Sequence, residues 1–213
     1  MVVVEWLGHS CFLVTGTRVK IVVDPFESSP RFTYPPVTAT ADLVLVTHEH
    51  FDHNNVGAVR GNPSIIRGPG QWKSPIPIKG LEASHGPRRG TTAIYIFQVD
   101  GLNLCHLGDL GEIPDSKLAR EIGSVDVLMI PVGGVYTIDH SGADEVLKIL
   151  NPKLAIPMHY KTESVGLSLD PVSKFTRGKT NVRFESGSSI SISKESLPAS
   201  TTIVVFAPPG SKP

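Results

Sequence analysis

The apolar positions of this chain come in short runs separated by turn residues, and the runs have strand length. Residues 2–7, 11–15 and 19–23 predict a three-strand meander, broken at Gly8 and around Gly16. Asp24-Pro25 ends the third strand, because proline cannot continue a central ladder. Residues 27–40 are rich in Pro, Ser and Thr and read as a surface loop, a candidate lid over a site near Asp24. Leu43-Val44-Leu45-Val46 is an uncharged strand that runs straight into Thr47-His48-Glu49-His50-Phe51-Asp52-His53. One or two helical turns are expected over 54–60, a short strand over 64–67, a Gly/Pro-rich loop over 68–77 and a strand over 78–83.

The second half repeats the style without a fixed period. Residues 92–99 and 102–107 flank Asp100-Gly101, a strong hairpin signal. A helix is predicted over 115–122, capped by Asp115 and stopped by Gly123, and another over 141–150, capped by Ser141 and stopped by Asn151-Pro152. Strands are expected over 125–130, 154–157, 181–184, 188–192 and 201–206. The Pro/Gly tail at 207–213 reads as disordered, which leaves residues 1–206 as one domain.

Composition changes this picture little. Of 213 residues, 40% are hydrophobic and 19% charged, with 20 Lys and Arg against 20 Asp and Glu, so nucleic acid held by bulk electrostatics is not expected. Cys11 and Cys105 lie in apolar strand-like runs and read as buried free thiols. Glu5 interrupts the apolar start, no basic segment precedes it, and no apolar run approaches about 18 residues. Neither a signal peptide nor a membrane span is expected, and the cytoplasm is the expected compartment.

The chemistry concentrates at the ends of predicted strands. In an extended backbone His48, His50 and Asp52 share one face, and His53 follows as the chain turns. His85, Asp109 and His159 each follow a later strand, so the fold can deliver all seven side chains to one sheet edge. One metal takes about four ligands, so five imidazoles and two carboxylates suit two divalent metal ions sharing a carboxylate. His-rich sites of this kind accept Zn or Mn, and also Fe or Ni. Asp24 is placed to accept a hydrogen bond from a ligand imidazole. Arg88 and Arg89, just after His85, and Lys161, just after His159, are candidates to bind the carboxylate or phosphate of a small-molecule substrate. His106 and His140 read as structural or surface histidines.

His48-x-His50-x-Asp52-His53, then His85, Gly108-Asp109 and His159, resembles the metallo-β-lactamase fold across roughly residues 1–185. Gly8-His9-Ser10-Cys11-Phe12, Asp24-Pro25, Pro131-Val132-Gly133-Gly134 and Pro157-Met158-His159-Tyr160 further resemble its small metal-dependent hydrolases related to ascorbate-6-phosphate lactonase. The resemblance implies an α/β fold, a four-layer αβ/βα sandwich with the site at one edge. It implies that His48, His50 and His85 hold one metal, that Asp52, His53 and His159 hold a second, and that Asp109 bridges them. It also implies hydrolysis of an ester, lactone or phosphodiester bond by a metal-bridged hydroxide, with Asp52 handling protons and His9 contacting substrate or a ligand. Two rival readings are an oxygen-reactive di-iron or manganese redox protein and a non-catalytic metal-binding protein. Residue 50 is His where flavodiiron oxygen reductases have Glu, which favours the hydrolase.

Overall fold

The apolar runs become strands in the computed structural model, which describes residues 1–73 and 75–210. The first half forms β1 (Val2–Gly8), β2 (Cys11–Thr15), β3 (Lys20–Val23), β4 (Leu43–Val46), β5 (Ser64–Arg67), β6 (Gly70–Trp72) and β7 (Ile78–Ser84). The second half forms β8 (Thr91–Val99), β9 (Leu102–His106), α1 (Ser116–Ile122), β10 (Val127–Pro131), α2 (His140–Leu150) and β11 (Leu154–Met158). It closes with α3 (Val172–Thr176), β12 (Val182–Phe184), β13 (Ser189–Ile192) and β14 (Thr202–Val205).

These strands make two sheets. One has six strands in the order β13-β1-β2-β3-β4-β5, and the other has eight, in the order β12-β14-β11-β10-β9-β8-β7-β6. In β1 burial alternates, with Val2, Val4 and Trp6 inward, the period-two signature of a sheet with one core face. The parallel strands β4, β10 and β11 are buried at every position, so they read as unbroken apolar runs. The expected hairpin forms between β8 and β9, with Val99 opposite Leu102. Asp100 and Gly101 both adopt positive φ, as the tight primed turn requires.

The helical layers are thin. All three α-helices lie in connections between strands of the eight-stranded sheet, and the β4-to-β5 crossover carries only a 3-10 turn, Val56–Ala58. Two elements were not expected. β6 forms inside the predicted loop by pairing with β7, and the short α3 follows Pro171. The cap of α2 is Asp139 rather than Ser141: its carboxylate accepts from Gly142 N, so the helix starts one residue before Ser141. Ala207 donates to Gly187 O, and residues 207–209 are half-buried, so the expected loose tail starts as a docked segment; residues 211–213 lie outside the described residues.

The topology gathers one set of loops. β3, β4, β9, β10 and β11 all make parallel pairs, and their C-terminal ends deliver Asp24, residues 47–53, Asp109, Gly133 and His159. Open α/β sheets bind ligands at that edge. Gly133 is needed there, because a Cβ would collide with the His159 carbonyl oxygen. Gly133→Ala is expected to lower unfolding free energy by about 1–3 kcal/mol, read as a lower urea midpoint at unchanged slope.

Candidate metal centre

The cluster begins where β4 stops. Val46 O is held by Gly68 N at 3.0 Å and by the Tyr95 hydroxyl at 2.8 Å, and the chain then curls instead of staying extended. His53 N donates to His50 O at 3.0 Å. The shared face expected of an extended strand is therefore replaced by a turn, which sends the side chains to two places. His48 and His50 join His85, whereas Asp52 and His53 join His159 and His9.

In the first group, His48 Nε2 and His85 Nε2 stand 3.0 and 3.3 Å from His50 Nδ1. In the second, ligand atoms of His9, Asp52, His53 and His159 all lie within 4.8 Å of one another. Asp109 lies against both. Its Oδ2 is 3.8 Å from His48 Nε2, 3.4 Å from His85 Nε2 and 3.3 Å from His159 Nε2, and its Oδ1 is 3.4 Å from His53 Nε2. His53 Nε2 and Asp109 Oδ1 are fully buried yet have no hydrogen-bond partner among the described residues. Buried polar atoms are nearly always satisfied, so two orphans facing each other mark a place where another electron-pair acceptor belongs. Imidazole nitrogens and carboxylate oxygens at this density fit divalent transition metals.

Charge follows the same geometry. Burial opposes charge on His53, but Asp109, Asp52 and Asp24 outweigh it and raise its pKa well above the usual value. Burial likewise resists ionising Asp109, yet His159 and His53 hold its carboxyl well below the usual range. Burial and the neighbouring His53 push His48 down to about 3. Neutral imidazoles and ionised carboxylates are the forms that ligate metal, so His48 and Asp109 are already in that form, whereas His53 gives up a proton when it ligates.

Asp24 lies behind this cluster, fully buried at the end of β3. Its Oδ2 accepts from His53 Nδ1 at 2.9 Å and from the Thr47 hydroxyl at 2.7 Å, and its Oδ1 accepts from Thr47 N at 2.8 Å. It thereby aims His53 Nε2 at Asp109. His9 Nε2 meets Asp52 Oδ2 at 3.2 Å, and burial with His159 nearby lowers the His9 pKa to about 4, against the pull of Asp52. The His9 carbonyl accepts from the Trp6 indole and from His159 N, so the first turn is tied to the end of β11. His9, Asp24 and His159 all have positive φ, near +50°, and such strained backbone clusters at functional sites. His106 donates from Nε2 to Ser10 O and accepts Gly108 N at Nδ1, a structural histidine. Cys11 and Cys105 are free and buried.

A family model for the beta-lactamase superfamily domain matches residues 3–159, a span that holds every one of these groups. The chain belongs to the beta-lactamase superfamily. It is 33% identical to a UPF0173 metal-dependent hydrolase of Carboxydothermus hydrogenoformans, over 75% of this chain and 84% of that one. A UPF0173 metal-dependent hydrolase of Thermococcus kodakarensis is also 33% identical, over 76% and 86%. The fold matches a Thermotoga maritima structure, a candidate Zn-dependent hydrolase of the metallo-beta-lactamase superfamily, at TM-score 0.83 and 35% identity, covering 97% and 98% of the two chains. This superfamily member is a metal-dependent hydrolase. Among the described residues, no helix is long and apolar enough to cross a membrane.

Over the cluster opens a cavity of about 240 Å³. His50, Asp52, Asp109 and His159 reach it from the metal side, and Arg31, Phe51, Arg89, Tyr136 and Leu167 line the rest. Of the three basic residues singled out in the sequence, only Arg89 lines this cavity. Arg88 is exposed outside it, at φ +65°. Lys161 is turned away, because its ammonium donates to the carbonyls of Val165 and Leu167. Lys161→Met is expected to lower stability by about 1 kcal/mol while leaving any preference for anionic substrates unchanged, measured by urea unfolding and by KM for charged and neutral substrates.

Arg31, Phe51, Tyr136 and Leu167 carried no sequence signal. The loop holding Arg31 is zipped to residues 164–166: Thr33 N donates to Ser164 O, and Gly166 N to Arg31 O. The candidate lid at 27–40 is thus anchored beside the site, with Phe32 fully buried against the His9 ring, centroids 4.9 Å apart. Tyr136 follows the Gly133-Gly134 pair, and Val135 beside it is 68% exposed at φ +63°, a strained conformation for a β-branched residue.

Proposed function

We propose that this chain is a binuclear hydrolase of a small substrate, cleaving an ester, lactone or phosphodiester bond. The observation that carries the reading is Asp109, a buried carboxylate within 3.3–3.8 Å of imidazoles from both groups. In this reading His48, His50 and His85 hold one metal, Asp52, His53 and His159 hold the other, and Asp109 is shared. Zn or Mn suits this N/O donor set. Bound there, the metals supply Lewis acidity and an activated water at neutral pH.

The chain's own residues do the rest. Asp24 fixes the tautomer and direction of His53. His9 holds Asp52 Oδ2, and Asp52 stays ionised, because His53 and the His9 hydrogen bond outweigh its burial. A carboxylate held that low is a ready ligand and a weak base, so any proton it takes from water is passed on quickly. Phe51 and Leu167 give one side of the cavity an apolar lining. The buried free thiols Cys11 and Cys105 are compatible with the reducing cytoplasm, the compartment proposed for this chain.

The test is a screen of p-nitrophenyl esters, aryl lactones and bis(p-nitrophenyl) phosphate with metal-loaded protein. Turnover of at least one class, abolished by a chelator and restored by Zn or Mn, is expected. Metal-loaded protein inert to all three contradicts the reading.

A further inference from the structure

The cavity over the metal centre holds two guanidiniums that the metal cluster does not use. Arg31 comes from the loop after β3, and Arg89 from the loop after β7. Among the described residues neither forms an ion pair. Arg89 lies over the Tyr136 ring, 4.2 Å from its centroid. A guanidinium stacked this way keeps its edge N–H donors free and loses little freedom on binding. The carboxylates reaching the cavity, Asp52 and Asp109, are engaged with His9, His53, His85 and His159. They are therefore not available to neutralise the arginines. The remaining lining, Phe51, Leu167 and the Tyr136 ring, is apolar or aromatic. Phe51 is itself backed by buried Phe32, ring centroids 5.8 Å apart.

We infer that Arg31 and Arg89 form an oxyanion subsite that selects substrates carrying a carboxylate or phosphate on a compact, flat or apolar body. The scissile bond then faces the metal cluster, while the oxyanion is held by planar N–H forks and the body lies between Phe51 and Tyr136. A cavity of about 240 Å³ is sized for a body of one or two rings. The arginines are specificity residues, not ligands, so their loss leaves the metal site intact. This inference rests on the hydrolase reading for its biological meaning, but binding tests it separately.

The experiment is calorimetric binding of three probes to metal-loaded protein: benzoate, terephthalate and 4-phosphonobenzoate. Each carries one carboxylate for the metals, and the last two carry a second anion across a ring. The wild type is expected to bind at least one of those two about tenfold more tightly than benzoate. In Arg31→Gln and Arg89→Gln that ratio is expected to fall towards one while benzoate affinity and metal content hold. A stronger gain from the phosphonate points to phosphate-bearing substrates, and a stronger gain from terephthalate to carboxylates. Equal affinity for all three probes in the wild type, or a preference that survives both substitutions, overturns the inference. Preference without turnover of any ester, lactone or phosphodiester defeats only the hydrolase reading; turnover without preference defeats only this one.

Discussion

Asp109→Ala is expected to remove metal from both proposed sites and to lower kcat/KM by about 10³-fold or more. The size follows from position. Among the described residues Asp109 is the carboxylate that meets imidazoles of both groups, so its loss is expected to open both sets at once and to leave His53 Nε2 facing an empty space. Asp109→Asn sharpens the test, since it keeps the shape and one oxygen but lacks the charge. Elemental analysis of purified variants should show well under one metal per chain for Ala, with Asn between Ala and wild type. Loss of a single metal only, with the other group still loaded, would mean that Asp109 serves one site rather than two.

Asp24→Asn is the second large effect, and it comes from a residue that touches no proposed metal. Its carboxylate accepts three hydrogen bonds in a fully buried place: two from Thr47 and one from His53. Asn presents an NH₂ to at least one of those donors, and the negative charge that keeps His53 aimed is gone. The expected cost is about 10–100-fold in metal affinity. Metal-free protein should also lose about 3 kcal/mol of stability, since a buried pair has been broken. Chelator competition measures the first and urea unfolding the second. A folded variant with wild-type metal affinity would show that Asp24 only caps the end of β3.

Much of this cluster is legible in the sequence. Leu43–Val46, Val127–Pro131 and Leu154–Met158 are apolar runs of strand length, and each ends where a His or Gly-rich motif begins. A strand buried on both faces needs such a run, so its loop falls at a readable place. His48-x-His50-x-Asp52-His53 stands out because its metal-competent side chains are close neighbours in sequence. The motif is not extended as its spacing suggests, because the fold ends β4 at Val46 with tertiary hydrogen bonds from Tyr95 and Gly68 that no local pattern encodes. β6 was illegible for a similar reason: Gly70, Gln71 and Trp72 become a strand only by pairing with β7. Arg31 looked like any loop arginine. Its place depends on bonds to residues 164–166, more than a hundred positions away. Lys161, two positions after His159 in sequence, is drawn off by the Val165 and Leu167 carbonyls. Adjacency in sequence found the clustered His and Asp side chains well and the cavity residues badly, since the cavity is assembled from loops of both sheets. The narrower likeness to ascorbate-6-phosphate lactonases rests on short motifs around His9, Asp24, Gly133 and His159, and the cavity chemistry offers a more direct route to the substrate.

The central claim is that the two groups hold two metals about Asp109. It is tested most directly by metal content per chain in wild-type protein purified without added metal or chelator, then reconstituted with Zn or Mn. The account predicts two equivalents per chain. Protein that stays folded yet binds no metal after reconstitution would contradict it.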